Sequence, residues 1–183
     1  ARNTDTAGLG DWTVNGRKLP GGLEALVPRI KALGMDFGIW IEPEMVNEDS
    51  ELYREHPDWA LHIPGRSKVR GRQQLVLDFS RKDVRDRVYG DLKKVLSSAD
   101  ISYVKWDMNR SLATAWSAAL PAERQGEVYH RYVLGVYDML EQMRRDFPSV
   151  LIEGCSGGGG RFDAGMLYYT PQIWCSDNTD AID

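Results

Sequence analysis

The sequence predicts an α/β fold in which helices cover a parallel sheet. Two patterns alternate along its 183 residues: apolar residues at steps of three and four, typical of helices, and short runs that are almost entirely apolar. When helices separate such runs, they form parallel strands joined by right-handed crossovers rather than hairpins. Several runs end in polar residues, so polar side chains gather at the carboxyl ends of the predicted strands.

The first helix and strand are predicted between residues 21 and 41. The segment "GGLEALVPRIKALG" has one apolar helical face and is closed by Gly34. The run "MDFGIWI" follows as a strand that Pro43 stops. The polar stretch 47–74 is predicted to be a long decorated loop with one short helical piece.

The same alternation continues to the end of the chain. The run "LVLDFS" is a short strand, and Ser80 is the predicted N-cap of the helix after it. The strand "ISYVKWD" precedes a helix over 124–147 that Pro148 ends. The strand "VLIEG" leads into the glycine-rich "CSGGGG", a short helix in "RFDAGMLYY" and a last strand, "PQIWCSD".

Acidic residues at the strand ends favour a barrel among the α/β folds. Glu42, Asp107, Glu153 and Asp177 each follow a separate strand, and barrel enzymes gather their catalytic groups at this end of the strands. A complete (β/α)8 TIM barrel has about 250 residues and eight strands. Only four barrel strands and the short "LVLD" strand are evident, so we expect residues 1–183 to be an incomplete barrel domain that alone is poorly soluble or inactive.

Composition and charge exclude several classes of protein. The net charge is -4 and Lys and Arg are scattered among acids, so nucleic acid is not an expected partner. No apolar run approaches the roughly 20 residues that span a bilayer, and the first residues are too polar for a secretory signal. We therefore expect a cytoplasmic protein without membrane contact. Cys155 and Cys175 lack CxxC spacing and the three histidines are dispersed, so no metal or cofactor is expected.

The stretch "VKWDMNR" at 104–110 contains the first candidate catalytic group. Lys105, Asp107 and Asn109 are two residues apart, so on a strand they leave the same face, whereas Trp106 leaves the other. We expect the nearby ammonium to keep Asp107 ionised, as a nucleophile must be. The amide of Asn109 is suited to binding a sugar hydroxyl.

The second candidate acid is Asp177, which follows Trp174 in "WCSDN". Nearby aromatic surface is expected to raise its pKa and leave it protonated as a general acid. One ionised and one protonated carboxyl group are the minimum machinery of glycoside hydrolysis. The competing interpretation is a cap of a loop or helix, because Ser, Asp, Asn and Thr are all capping residues.

Other acids compete for these roles, although most buried acids bind a neighbouring loop or cation instead. The rival carboxylates are Glu42, Glu44, Asp78, Glu153 and Asp180.

Five motifs in order resemble those of the α-galactosidases of glycoside hydrolase family 36. They are "GIWIEPEMV", "GRQQLVLDFS", "KWDMNR", "EGCSGGGGRFD" and "WCSDNTDA", and the resemblance covers essentially the whole chain. It implies a retaining α-galactosidase acting on raffinose- and melibiose-type oligosaccharides. It also implies that the chain holds roughly the third to sixth βα units of the catalytic barrel, without the flanking β-sandwich and C-terminal domains, and it allows a homo-oligomer of the full-length protein.

The resemblance also implies roles for individual residues. Asp107 is the nucleophile and Asp177 the acid/base. The sugar-binding positions that it implies are Trp40, Arg72, Lys105, Asn109, Cys155, Gly158 and Trp174. The glycine-rich loop lacks the GxGxxG spacing and the lysine of phosphate-binding loops, so it is interpreted as a wall of the sugar pocket.

Four alternatives remain open. A raffinose-synthase-like enzyme would use the same two aspartates but pass galactose to another sugar. An α-glucosidase-like hydrolase also has a "DMN" strand end, but a Glu is expected there where this chain has Arg110. The last two are an aldolase with a Schiff base on Lys105 and a non-enzymatic sugar-binding or scaffolding fragment.

Overall fold

The structure is a computed structural model that describes residues 2–178 and residue 180. Its helices and strands alternate along most of the chain. In chain order they are α1 (Gly22–Lys31), β1 (Gly38–Ile41), β2 (Met45–Val46), α2 (Glu51–Glu55), β3 (Leu75–Val76), α3 (Lys82–Ser97), β4 (Tyr103–Trp106), α4 (Val128–Asp146), β5 (Leu151–Gly154), α5 (Ala164–Tyr169) and β6 (Gln172–Ile173). Short 3₁₀ helices lie at Pro57–Trp59 and Ala122–Glu127.

A four-stranded parallel sheet is the centre of the fold. Its strands lie in the order β1-β4-β5-β6, which is also their order along the chain. Helices lie between successive strands of this sheet along the chain, as crossover connections between parallel strands require. The predicted α/β fold with a parallel sheet is therefore confirmed.

The two faces of the sheet differ in burial. Val104 and Trp106 of β4 are fully buried at 0% exposure, and they lie in one hydrophobic core with residues of α3 and α4. On the opposite face Trp40 is 41% exposed. Trp106 therefore belongs to the core, as the period-two pattern predicted, and the open face carries the polar residues of the strands.

The predicted "LVLDFS" strand does not join the parallel sheet. Its Leu75 and Val76 pair antiparallel with Val46 and Met45, and all four residues are buried. The reason is the connection: residues 47–74 form a loop that contains only α2 and a short 3₁₀ helix, so the chain turns back beside β2 rather than crossing over to a parallel position. The rule that places short apolar strands in a parallel sheet is wrong for this element.

The helix ends largely follow the predictions. The chain turns at Gly34, which has a left-handed φ of 77° shortly after α1, and α4 ends two residues before Pro148. The prediction for Ser80 is wrong, because α3 begins at Lys82 with Arg81 as its N-cap and without a capping side chain. The hydroxyl of Ser80 instead donates to the carboxylate of Asp78.

Candidate active site

The candidate residues converge at the carboxyl ends of the four parallel strands. Trp40 lies on β1, Asp107 directly follows β4, Cys155 directly follows β5, and Trp174 directly follows β6. Adjacent parallel strands in register bring these positions to one edge of the sheet. This edge is where the sequence predicted the site.

Asp107 is a buried carboxylate with hydrogen bonds on both oxygens. Asp107 is only 6% exposed to solvent. Its Oδ2 accepts from the indole N–H of Trp40 at 2.9 Å and from Nδ2 of Asn109 at 2.6 Å. Its Oδ1 accepts from the backbone N–H of Met108 at 2.8 Å, and the thiol of Cys155 is a further donor to this carboxylate.

These donors keep Asp107 in its charged form. Burial acts to raise the pKa of Asp107, but hydrogen bonds from Trp40, Asn109 and Cys155 outweigh it, so the pKa lies below its usual value. The thiol has the opposite shift: burial is the main reason that the pKa of Cys155 rises to about 11. Cys155 is therefore a protonated donor to Asp107 at neutral pH.

Lys105 pairs with Glu153 and not with Asp107, the partner that its spacing suggested. Its ammonium Nζ lies 3.2 Å from Oε1 of Glu153 and 3.9 Å from the ring centroid of Trp174. The expectation that this ammonium keeps Asp107 ionised is wrong, because hydrogen-bond donors do so and the cation is paired with Glu153. The prediction that Lys105 leaves the sheet on the face opposite Trp106 was right. Its ammonium pairs, however, with the carboxylate of Glu153 on the neighbouring strand β5.

Asp177 lies on the loop after β6, where its side chain is exposed. Its Oδ1 accepts a hydrogen bond from the indole N–H of Trp174 at 3.0 Å. Trp174 thus contacts the carboxyl group through a polar atom, whereas the sequence suggested an apolar surface. The rival Asp180 is also exposed, and its backbone N–H donates to the side chain of Asn178.

Arg72 reaches the site from a strained two-residue turn. Gly71 and Gln74 exchange backbone hydrogen bonds, and the two residues between them, Arg72 and Gln73, have left-handed φ angles of 52° and 61°. Non-glycine residues rarely adopt this conformation. The guanidinium Nη1 of Arg72 donates to Oδ1 of Asn109 at 2.9 Å. Asn109 is thereby held at both ends of its amide, between Arg72 and the nucleophile candidate.

Gly158 allows the glycine-rich loop to lie against the loop that carries Asp177. Its φ is 84°, and a Cβ at this position would come within 3.0 Å of the Cα of Ser176 and 3.2 Å of the backbone nitrogen of Asp177. A side chain here would push the two loops apart. The sequence had suggested close approach to a sugar, and the structure shows close approach to a neighbouring loop.

Two of the rival acids, Glu42 and Asp78, hold loops in place. Glu42 accepts from the backbone N–H of Asn109 at 2.7 Å and from Gln74 at 3.0 Å, and burial raises its pKa. Asp78 accepts from the hydroxyls of Ser80 and Ser117. These contacts match the expectation that most buried acids bind neighbouring loops.

Glu44 belongs to a buried cluster that sequence patterns did not indicate. Its carboxylate accepts from Trp106 at 2.8 Å, Tyr132 at 2.6 Å and Arg161 at 2.8 Å. Arg161 ends the glycine-rich segment, so this ion pair ties that loop to the start of β2. Only the position of an Arg after "GGGG" could have suggested the contact.

Neither a metal site nor a membrane helix is found in the part of the chain that the structure describes. Its His, Cys, Asp and Glu side chains form no group of three or more suited to holding a metal ion. No helix within 2–178 has the length and apolar character needed to cross a bilayer.

Comparisons with known proteins identify relatives along the whole chain. The sequence model of the family described as Melibiase matches residues 1–183. The α-galactosidase AgaA of Geobacillus stearothermophilus is 58% identical over 181 residues, which are 99% of this chain and 25% of that protein. The bifunctional α-galactosidase/sucrose kinase AgaSK of Mediterraneibacter gnavus is 60% identical over 181 residues, which are 99% of this chain and 18% of that protein.

Solved structures agree with these matches. The crystal structure of the GH36 α-galactosidase AgaA superposes with a TM-score of 0.94 at 58% identity, over 97% of this chain and 25% of that one. A variant of AgaA in complex with raffinose gives a TM-score of 0.94 at 57% identity, with the same coverage of both chains. The chain thus spans a quarter or less of the length of these relatives.

Proposed function

Because the chain belongs to the Melibiase family, we propose that the complete protein containing it is a retaining α-galactosidase. The observation that carries the proposal is the environment of Asp107, a buried carboxylate kept ionised at a strand end by hydrogen bonds from Trp40, Asn109 and Cys155. An ionised carboxylate held in one orientation is what attack on an anomeric carbon needs. Asp177 lies on the loop after β6 and supplies the second carboxyl group.

The parallel sheet is proposed to be four strands of a (β/α)8 barrel, roughly its third to sixth βα units. The order β1-β4-β5-β6 follows the chain, as it does around a barrel. One face of the sheet is open, with Trp40 and Leu151 about 40% exposed there. Residues 1–183 would then be an incomplete catalytic domain, and the remaining strands would come from the rest of the protein.

The proposed reaction is a double displacement. Asp107 forms a bond to the anomeric carbon while the bond to the leaving oxygen breaks, and Asp177 gives its proton to that oxygen. Water then attacks the galactosyl-enzyme, gives a proton to Asp177 and releases Asp107 as a carboxylate. Two inversions give net retention of the anomeric configuration.

The hydrogen bonds of the site support this division of roles. Four donors to Asp107 favour its charged form before attack and stabilise it again when the intermediate breaks down. Asp177 is exposed, so a leaving group and then water have access to it. Lys105, Arg72, Trp40 and Trp174 are proposed to border the bound galactose.

The proposed substrates are oligosaccharides with terminal α-galactose, of the raffinose and melibiose type. Support comes from the relatives, since a variant of AgaA was crystallised with raffinose and another with stachyose. The many hydrogen-bonding side chains at the strand ends suit the hydroxyls of a sugar.

The direct test is an assay of the complete protein on p-nitrophenyl α-galactoside and raffinose. We expect hydrolysis of both, with α-galactose as the first product seen by proton NMR. The matching α-glucoside should be cleaved far more slowly. When a sugar acceptor is added, water should still receive most of the galactosyl groups. Initial release of β-galactose, or activity confined to α-glucosides, would contradict the proposal.

A further inference from the structure

Glu153 is a buried carboxylate that the proposed reaction does not use. It lies on β5, in register with Lys105 on one side and Gln172 on the other. Its side chain is 6% exposed, and Oε1 lies 3.2 Å from the ammonium of Lys105. Because three adjacent parallel strands carry these residues, the sheet fixes their spacing.

Both oxygens of Glu153 are occupied by protein groups. Oε2 accepts from the hydroxyl of Tyr103 and from Nε2 of Gln172 at 2.9 Å, while Oε1 faces Lys105. A carboxylate bound in this way has one orientation and little access to a substrate. Its remaining effect is on the cation that it holds.

Lys105, which Glu153 holds in place, in turn restrains the indole ring of Trp174. A free lysine side chain has many rotamers, and holding one of them costs entropy that a buried partner offsets. The ammonium, held by Glu153, lies 3.9 Å from the ring centroid of Trp174. Such a cation–π contact favours one placement of the indole ring.

Trp174 in turn orients the carboxyl group of Asp177. The indole Nε1 donates to Oδ1 of Asp177 at 3.0 Å. The contacts thus run from Glu153 through Lys105 and Trp174 to Asp177, from the rigid sheet to an exposed loop.

We propose that Glu153 is a positioning residue that aims the proton donor Asp177 through Lys105 and Trp174. The inference rests on the proposed function, since it takes Asp177 to be the acid. It assigns Glu153 no contact with substrate and no part in bond making.

The test uses Glu153→Gln in the complete protein with two substrates of different leaving groups. Raffinose needs a proton on its departing oxygen, whereas 2,4-dinitrophenyl α-galactoside has a leaving group that departs without one. We expect kcat/KM for raffinose to fall on the order of 100-fold, because a small misplacement of a catalytic group has an effect of this size. The loss with the dinitrophenyl substrate should be about tenfold smaller.

Glu44→Gln is the matched control. It makes the same change at a carboxylate that is also buried but binds Trp106, Tyr132 and Arg161. Any loss that it causes should be equal for the two substrates. A loss at Glu153→Gln that is also equal for both, or no loss at all, would overturn the proposal.

A second variant keeps the proposal testable if Glu153→Gln does not fold. Trp174→Phe keeps an aromatic ring beside Lys105 but removes the N–H that donates to Asp177. It should show the same selective loss with raffinose, and an equal loss on both substrates would again contradict the proposal. Failure of the wild-type protein to cleave either substrate would instead reject the proposed function.

Discussion

The carboxylate of Asp107 accepts hydrogen bonds from side chains and backbone of three separate segments: Trp40 on β1, Met108 and Asn109 just after β4, and Cys155 just after β5. Each bond favours the charged form and opposes the effect of burial on the pKa. The state of this one group therefore depends on neighbours that the fold brings together.

Trp40→Phe is expected to shift the acid limb of the activity profile. The change keeps an aromatic ring but removes the N–H that donates to Asp107, so the pKa of Asp107 should rise, since a hydrogen bond to a charged group contributes about 1.5–3 kcal/mol. Asp107 acts when ionised, so activity should be lost at a higher pH as the pH falls. The measurement is kcat/KM against pH in the complete protein.

Trp12→Phe provides the control for this prediction. The Nε1 of Trp12 is buried and has no hydrogen-bond partner among the described residues. The same chemical change there should leave the acid limb where it is. An unchanged limb in Trp40→Phe would show that the indole N–H does not set the pKa of Asp107.

The turn at 71–74 combines strain with the placement of a site residue. Arg72 and Gln73 both have left-handed φ angles, and the guanidinium of Arg72 reaches Asn109. A left-handed conformation costs a non-glycine residue roughly 1–2 kcal/mol. Strain of this kind is typical of functional segments that the surrounding structure holds in place.

Gln73→Gly is expected to stabilise the protein by about 0.5–1 kcal/mol. Glycine removes the conformational cost, and its greater freedom in the unfolded chain offsets only part of the gain. Gln73→Ala is the control, because it shortens the side chain but keeps the strain. Chemical unfolding of the complete protein measures both, and equal stability of the two variants would contradict the argument.

At the scale of the elements, α4 lies unusually close to the segment after β3. A Cβ on Gly135 of α4 would come within 1.9 Å of the carbonyl oxygen of Phe79. Gly90 of α3, by contrast, has nothing within 4 Å of such an atom. Gly135 therefore allows α4 to pack closely against Phe79, whereas close packing does not explain the glycine at position 90.

The pair Gly135→Ala and Gly90→Ala tests this packing. Gly135→Ala should destabilise the protein by about 1–3 kcal/mol, since overpacking forces the backbone to shift. Gly90→Ala should stabilise it by about 0.5–1 kcal/mol through helix propensity alone. Urea unfolding of the complete protein distinguishes them, and a shift of the same sign in both would show that α4 is not packed as described.

At the scale of the whole molecule, the parallel sheet has one covered and one open face. Helices bury Trp106 on the covered face, whereas Trp40 and Leu151 remain partly exposed on the other. The chain also matches relatives that are four or more times its length. Both observations support the proposal that further strands complete the domain.

The isolated 183 residues are therefore expected to be inactive and to aggregate, while the complete protein is active. Light scattering and the α-galactoside assay on both forms give the comparison. A cooperative melt with full activity from the isolated chain would contradict the proposed division of the barrel.

Patterns local in sequence predicted most of the fold. Short apolar runs separated by helical patterns gave the four parallel strands, and the period-two pattern gave the buried position of Trp106. They could not give the antiparallel partner of Leu75, because the connection over 47–74, and not the apolar run itself, turns the chain back beside β2. The period-two pattern gave the face of Lys105 but not its partner Glu153, because that residue lies 48 residues further along on a neighbouring strand.

Asp107 is the proposed nucleophile, and the configuration of the azide product of Asp107→Gly is the decisive measurement of that role. The complete variant protein is given p-nitrophenyl α-galactoside with sodium azide. Azide should occupy the space left by the carboxylate, displace p-nitrophenolate once, and yield β-galactosyl azide by NMR. Asp177→Gly should instead yield the α anomer, because Asp107 still forms the intermediate. An α-azide from Asp107→Gly, or undiminished hydrolysis without azide, would contradict the account.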